Sequence, residues 1–473
     1  MNGKHFALFL GMLFWTVCNK QPLRAQEESP QSFTIEQAVD YALKNSPRVR
    51  TSILGEEIAR QEVRETVSRG LPQINGNLEY RKQPDVPTTV VPNFIAPSVY
   101  DVLLQENLVE NAPGDFGTIP AAFGVPHQVN AGVTLSQLVF DGQYLTGIQA
   151  SKTYAELKRK ESREARVNTE AEVRKAFLRA LILERNYEVV QQNMKQLDRQ
   201  LYETQKLFEE GFAEELDVDR LRLAQKRLEA QINNLGGQSE VARKALKFQM
   251  GFPVGEPMAL EGNPERVEQY IAPSQVETDI DYNQRVEYEI NQVNQELADL
   301  DKKRWQMGYL PTLNFNAGHI QQAQRQEFNF FDSGEEWFPN TYWGFTLNVP
   351  IFDGFRKASL IGQSDLQKRQ LQIQQESLEQ QIELEVRQAR LTYDNAYQNY
   401  QVQRENQQLA RKIYRRTEKK YENGLGSSLE LTTAQTDYYT AQSDYLSSLL
   451  NLMQARVDLD QALGNYASST QNP

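Results

Sequence analysis

His127 and His319 are the only imidazoles beyond the first few residues, and Cys18 is the only thiol of the chain. A metal or acid–base site needs such groups gathered at ligand spacing. These two histidines stand far apart, each beside a predicted strand, and fit ordinary strand or loop positions. No glycine-rich phosphate loop lies between a strand and a helix, and no nucleophile elbow is written. The residue types therefore argue against an enzyme and imply no metal and no cofactor. The informative residues come in pairs instead. Asp141-Gly142 closes "LVFDG" and Asp353-Gly354 closes "PIFDG"; Gly211 and Gly424 are each followed six residues later by an acid, Asp217 and Glu430. An aspartate before a helix caps its free N–H groups, an acid in the first turn complements the dipole, and glycine ends one helix so that another can begin. These pairs mark helix boundaries, and they mark them twice.

The whole chain is written twice. "SPRV" (Ser46 to Val49) and "NQRV" (Asn283 to Val286) open the two halves, followed by "GLPQI" (Gly70 to Ile74) and "YLPTL" (Tyr309 to Leu313). Then come "VTLSQLVFDG" (Val133 to Gly142) and "FTLNVPIFDG" (Phe345 to Gly354), "FEEGF…LD" and "YENGL…LE", and finally "ARKALKFQMG" and "ARVDLDQALG". Five matches in one order indicate a tandem duplication. Residues 26–251 form the first repeat and 276–466 the second, with 252–275 as connector and 467–473 as tail.

Each repeat reads helix, strand, loop, strand, very long helix, sharp turn, helix. The 473-residue chain is only 39% apolar, with mean hydropathy −0.64, a balance of extended helices more than of a compact globule. No proline interrupts Gly142 to Phe208 or Asp353 to Tyr421; each stretch can run as one helix of about 100 Å at about 1.5 Å per residue. Tyr187, Val190, Met194, Leu197, Leu201, Thr204 and Phe208 step by three and four, as do Leu431, Ala434, Tyr438, Ala441, Tyr445 and Ser448, the pattern of coiled-coil seams. Gly236-Gly237 predicts a bend in the helix that follows the first turn.

The start reads as an export signal. Lys4 and His5 precede the apolar stretch Phe6 to Val17, and Leu23-Arg24-Ala25 is a cleavage triplet, so residues 1–25 are expected to leave as a signal peptide. That stretch is too short to span about 30 Å of hydrocarbon as a helix, and Trp15-Thr16-Val17 before Cys18 fit lipid attachment poorly. With the leader go Lys4, Lys20 and Arg24 and no acid, which takes the net charge from −12 to −15 and excludes a general nucleic-acid binder. The remaining chain has no cysteine, so packing and oligomerisation must supply its stability. No later apolar run has helix-spanning length; a membrane span would have to be β.

Four segments carry the strand pattern. Ile74, Gly76, Leu78 and Tyr80 alternate with Asn75, Asn77 and Glu79; Ala131, Val133 and Leu135 alternate with polar or small residues; Leu313, Phe315 and Ala317, and then Trp343, Phe345, Leu347 and Val349, do the same in the second repeat. One apolar and one polar face suits a membrane barrel, and equally a small soluble sheet capped by helices. Export and the long loops expected at Arg81 to Gln128 and Ile320 to Asn340 favour the barrel. Four strands cannot close, and open edges are excluded from lipid. Two chains (eight strands) or three (twelve) would have to share one barrel.

With these residues in place, the chain resembles the TolC-like outer-membrane efflux proteins, the outer membrane factors. The duplicated layout, the paired "LP" and "FDG" junctions, the Trp343 to Leu347 strand and the turns at Gly211 and Gly424 carry the likeness over essentially the whole mature chain. The resemblance implies a mainly α fold with a transmembrane β-barrel portion: a homotrimer whose long coiled-coil helices form an α-helical barrel and whose protomers each give four strands to a twelve-stranded barrel. It implies the exit duct of a tripartite efflux pump or type I secretion system, in the outer membrane of a Gram-negative bacterium and reaching into the periplasm, with the connector in an equatorial belt. Its implied partners are outer-membrane lipid, a periplasmic adaptor (membrane fusion) protein and an inner-membrane RND, ABC or similar pump. Gly211 and Gly424 would be adaptor-contact hairpin tips, and Asp217, Glu430 and Tyr421 the periplasmic gate, the acids forming rings under threefold symmetry. Gly426 and Thr433 depart from the family pattern, in which an arginine and a second acid stand there. A periplasmic coiled-coil adaptor or scaffold without a pore is the rival reading, but adaptors have one helical hairpin and here there are two. Drug, metal ion, bile salt and polypeptide all remain open as cargo.

Overall fold

The computed structural model describes residues 31–262 and 280–466. The expected signal peptide, the tail and residues 263–275 of the connector lie outside the described residues. The chain divides into two compact units, one built from 31–46, 172–262 and 398–454 and the other from 47–171, 280–397 and 455–466, so that each draws on both sequence repeats.

The helix boundaries follow from capping chemistry. Helix α1 (Ile35–Asn45) opens with a reciprocal box: the Gln37 amide donates to Thr34 Oγ1 at 3.3 Å, and Thr34 N–H donates to Gln37 Oε1 at 3.0 Å. It ends because Ser46 precedes Pro47 and is pushed to extended backbone, while Pro47 itself starts α2 (Pro47–Ser68). In the second repeat a 3₁₀ turn, Tyr282–Gln284, lies directly before the helix that opens at Val286. The long helices are α4 (Gly142–Glu209) and a partner in the second repeat, Arg356–Glu422; each turns back into a shorter one, α5 (Glu215–Met250) and Ser428–Ala462. Helix α5 runs unbroken through Gly236-Gly237. Ahead of α4 in sequence lies α3 (Ile95–Gln105), and after α5 comes α6 (Val286–Met307), so the last two helices are α7 (Arg356–Glu422) and α8 (Ser428–Ala462).

Four of these helices end on a left-handed glycine in a Schellman motif. At Gly211 (φ +85°) and Gly424 (φ +71°) the surroundings of the glycine are open. At Gly251 (φ +73°) and Gly464 (φ +78°) they are not: a Cβ would meet Asn45 O at 2.4 Å and Gln284 O at 2.7 Å. The last helix of each repeat therefore docks its terminal glycine on the chain at the start of "SPRV" or "NQRV". Arg285 strengthens the second dock, with Nη1 donating to Ala462 O at 2.8 Å and Nη2 pairing with Glu385 at 3.0 Å.

Two cores among the described residues lie in the first unit. Phe33, Val39, Val173, Phe177, Leu246, Met250 and Phe252 pack α1 against α4 and α5, beside a parallel pair of short strands, β1 (Gln31–Phe33) and β6 (Met258–Leu260). Val190, Leu197, Leu221, Leu228 and Leu235 form the α4–α5 seam.

The second unit holds an antiparallel sheet in the order β2-β5-β7-β8: β2 (Gln73–Lys82), β5 (His127–Phe140), β7 (Thr312–Arg325) and β8 (Phe338–Asn348). Two loop expectations need correction. The segment 83–126 contains a hairpin, β3 (Thr88–Pro92) with β4 (Thr118–Ala122), and α3 between its strands. The loop expected from Ile320 shrinks to 326–337, because β7 continues to Arg325. Its polar tail stays in the sheet because β5 supplies backbone partners as far as His127, opposite Arg325.

Candidate functional site

The sheet register sorts the side chains by face. Ile74, Leu135, Ala317 and Trp343 stand opposite one another in one row across all four strands, and the adjacent row holds Gln73, Ser136, Asn316 and Gly344. Because neighbours in a row share a face, one side of the sheet is apolar and the other polar. The apolar side is bare: Ile74 is 70% exposed, Leu78 77%, Trp343 72% and Phe345 62%. The two outer strands, β2 and β8, each have one paired edge only. The sheet does not bring the histidines together. His127 lies opposite Arg325 and bonds Tyr80 Oη at 2.8 Å, whereas His319 lies opposite Val133 and bonds Thr341 Oγ1 at 2.6 Å. Among the described residues no group of three or more His, Cys, Asp or Glu could hold a metal, and no helix is long and apolar enough to cross a membrane.

The two "FDG" junctions solve one task differently. Asp141 Oδ1 accepts from the amides of Gln143 (2.7 Å) and Tyr144 (3.3 Å), and α4 starts at once. Gly142 is needed for space, since a Cβ would stand 3.0 Å from Met307 O. Asp353 Oδ2 accepts from the Lys357 amide at 3.1 Å, and the Lys357 ammonium pairs with it at 3.4 Å. Here Gly354 is needed for its backbone, with φ +66°, and Phe355 repeats that value, so α7 begins only at Arg356.

In the first unit the two helical turns carry the remaining candidates. Asp217 is the third residue of α5, where it accepts from the Glu214 amide at 3.3 Å in a capping box. Its other oxygen accepts the Ser428 hydroxyl at the start of α8, and Arg220 Nη1 completes the triangle, 3.7 Å from Asp217 and 3.3 Å from Ser428. Asp217 thus ties α5 to α8. Glu430 holds the equivalent position in α8, its amide donating to Ser427 Oγ at 3.2 Å, with its carboxylate exposed. Tyr421 is half-buried, and its carbonyl accepts the Gly424 amide at 2.9 Å. A Cβ at Gly426 would stand 3.3 Å from the Tyr421 nitrogen, so that residue presses on the end of α7. Directly after each cap glycine an apolar side chain projects into solvent, Phe212 (78% exposed) and Leu425 (77%).

A duplicated chain with bare apolar strands and two long helical hairpins narrows the comparison. Residues 38–251 and 287–465 match the family model described as outer membrane efflux protein. The chain belongs to the outer membrane efflux protein family. Solved members of similar shape agree. The CmeC outer membrane channel of Campylobacter jejuni is 16% identical, with TM-score 0.67 over 91% of this chain and 85% of that one. The open-state MtrE outer membrane channel of Neisseria gonorrhoeae is 16% identical, with TM-score 0.65 over 91% and 88%. The outer membrane protein VceC of Vibrio cholerae is 15% identical, with TM-score 0.62 over 91% and 96%. At such identities the likeness is one of fold, mainly helical and TolC-like. No curated protein matches the sequence.

The efflux-family protein also contains functional candidates that sequence reasoning missed. Beside its apolar α4–α5 seam, α4 presents a polar line at seven-residue spacing, Asn186, Asn193 and Gln200. These meet Ser443 (3.3 Å), Gln442 (3.3 Å) and Gln435 (3.3 Å) of α8. Beside them Gln196 Nε2 donates to Tyr414 Oη (2.7 Å), whose hydroxyl donates to Glu418 (2.6 Å) on α7. Burial, then the bond to Glu418, hold the Tyr414 phenol far above its ordinary range; burial pushes Tyr439 up to about 12, with the charges of Tyr438 and Glu418 adding to it. Both phenols stay protonated donors. The available signal was the heptad of amides, which interrupts an apolar count but continues a polar one.

Proposed function

We propose that this protein is the outer-membrane exit duct of a tripartite efflux pump or type I secretion system, working as a homotrimer. The sheet carries the proposal: its apolar face is exposed and both outer strands lack a partner on one side. Lipid tolerates neither an open edge nor a lone four-stranded sheet. Strands from sister protomers satisfy the edges, with the apolar rows toward lipid and Asn75, Asn77, Thr134, Asn316 and Thr346 lining water. Eight strands leave an interior just wide enough for side chains to fill, whereas twelve open a lumen, which favours three copies over two. The helices supply a second argument. Leu216, Leu223, Val241 and Phe248 on α5, and Leu366, Ile373, Leu384, Leu391, Val402 and Leu409 on α7, are all more than half exposed. Their steps of seven, eleven and eighteen residues keep each set on one helix face, so both stripes call for a partner helix.

The duct is passive; the energy comes from an inner-membrane pump of RND, ABC or similar type. The turns at Gly211 and Gly424, with Phe212 and Leu425 exposed beside them, offer the contact for a periplasmic adaptor. Asp217, Glu430 and Tyr421 form the periplasmic gate in divided roles. Glu430 contributes free charge, repeated three times around the axis, and favours cations, while Asp217 holds α5 to α8 behind it and Tyr421 anchors the end of α7. In planar bilayers Glu430→Ala should weaken cation block, and Asp217→Ala should raise leak by loosening the turn. Wild-type traces from both variants would remove the gate assignment. The duct itself is tested by membrane fractionation: an adaptor without a pore would leave the outer membrane without detergent and form no stable trimer.

A further inference from the structure

The two halves differ where β8 meets α7. In the first repeat the residues after "FDG" turn inward: Tyr144 donates its hydroxyl to Val67 O at 2.9 Å and fills the space over Gly70. The corresponding residue of the second repeat is Arg356, preceded by Phe355 where the first has Gln143. Phe355 holds φ +66°, a left-handed backbone that costs a bulky residue roughly 1–2 kcal/mol. It nevertheless displays its ring outward, 71% exposed, edge to face with Phe352 (76% exposed) at 5.5 Å. With Val349 and Ile351 these rings continue the bare apolar face of β8 past the end of the strand. Beneath them lies a different chemistry. The Arg356 guanidinium sits 5.9 Å and that of Arg304 4.6 Å from the Trp305 ring, and Lys357 lies 5.0 Å from Tyr309. Arg304 pairs with Asp301 and Lys357 with Asp353, whereas among the described residues the Arg356 guanidinium makes no close salt bridge and only its charge reaches the Asp353 carboxylate.

Exposed rings backed by a cation that lies over an indole and is held by no close salt bridge match the boundary between acyl chains and phosphate. We propose that this junction is a glycerophospholipid site in the inner leaflet of the outer membrane. Phe352 and Phe355 enter the acyl region, and Arg356, supported by Trp305, pairs with the phosphodiester. The first repeat has no such site, so there is one per protomer, and it fixes how deep the barrel sits. Two features select lipid over a protein occupant: the rings extend the lipid-facing rows without a break, and the cation stands where headgroup phosphate begins. The site rests on the barrel reading above.

Trp305, Trp337 and Trp343 are the only tryptophans beyond the expected leader. The full-length trimer carrying Trp337→Phe and Trp343→Phe is reconstituted in phosphatidylethanolamine–phosphatidylglycerol vesicles. A nitroxide high on the acyl chain should quench Trp305 at least about twice as strongly as one near the chain end, and aqueous iodide should quench it little. In native mass spectrometry Arg356→Gln should retain phospholipid roughly tenfold less well, the loss of one charge-assisted hydrogen bond, while Phe331→Ser in the distal loop should leave retention unchanged. Quenching by iodide and by no lipid probe, shielding from both by a protein neighbour, or equal retention by Arg356→Gln and wild type overturns the site. A variant keeping only Trp343 separates the two claims. If Trp343 is quenched by lipid probes and Trp305 is not, the headgroup site fails alone; if neither is, the barrel reading fails first.

Discussion

Gly251→Ala and Gly424→Ala put the same methyl group on nearly the same backbone, with φ +73° and +71°, in two very different surroundings. Left-handed alanine costs roughly 1–2 kcal/mol, and replacing glycine returns roughly 0.4–1 kcal/mol by restricting the unfolded chain. At Gly424 nothing stands within 4 Å of the new Cβ, so the net cost is about 1 kcal/mol. At Gly251 the Cβ lands 2.4 Å from Asn45 O and 2.8 Å from Asn45 C. Relief requires moving the α1–α2 corner or the end of α5, and both are held by Ala42, Leu246 and Met250, which are fully buried. Overpacking of that kind adds roughly 2 kcal/mol, for a total of about 3 kcal/mol. Hydrogen exchange read by mass spectrometry resolves the two positions locally. Peptides covering the ends of α1 and α5 should exchange about 100-fold faster in Gly251→Ala; Gly424→Ala should accelerate exchange about fivefold, around its own turn only. Equal effects would refute the reasoning that one glycine serves packing and the other only backbone. The mild cost at Gly424 has a second use: if Gly424→Ala abolishes adaptor binding with the trimer intact, that turn contacts the partner.

Tyr414→Phe removes a hydroxyl that links Gln196 to Glu418 while leaving those two 3.1 Å apart; it should cost about 1 kcal/mol, seen as faster exchange in α4 and α7 near these residues and absent elsewhere. The Glu164 carboxyl is raised above the ordinary glutamate value by burial first and by the Glu287 charge second, with Arg48 acting against them. An acid whose folded value is raised loses stability as pH climbs from the unfolded value through the folded one. Glu164→Gln should therefore raise the unfolding temperature at neutral pH and flatten its fall between mildly acidic and neutral pH, and an unchanged pH profile would contradict this.

Much of the architecture was readable because two signals are local. Alternation at Ile74 to Tyr80 and Trp343 to Val349 located strands, and steps of three and four from Tyr187 to Phe208 located the α4 seam that packs on Leu221 and Leu228. The far end of β7 was not readable, since Gln321, Gln322 and Gln324 stay in the sheet through backbone bonds to β5 and carry no alternation of polarity. Nor was the hairpin of β3 and β4 inside a segment that reads as loop. The two "FDG" motifs show the limit of matching words. Crowding by Met307 calls for a glycine at 142, whereas two successive left-handed residues set the backbone at Gly354 and Phe355. At the turns, Asp217 and Glu430 look equivalent in sequence, and only the fold places Ser428 and Arg220 on one of them.

The edge-sharing sheet is the claim on which the duct depends, and the sequence makes it unusually testable because no cysteine remains after the expected leader. Single cysteines on the polar face of β2, such as Asn77→Cys, are combined with cysteines on β8, such as Thr346→Cys and its neighbours in register, in mature protein extracted from membranes. A shared barrel predicts that at least one combination is captured under oxidation as a covalent, reductant-sensitive trimer, with every disulfide joining two different chains in isotope-mixed samples. Disulfides formed only within single chains, or monomers in every combination, would contradict it.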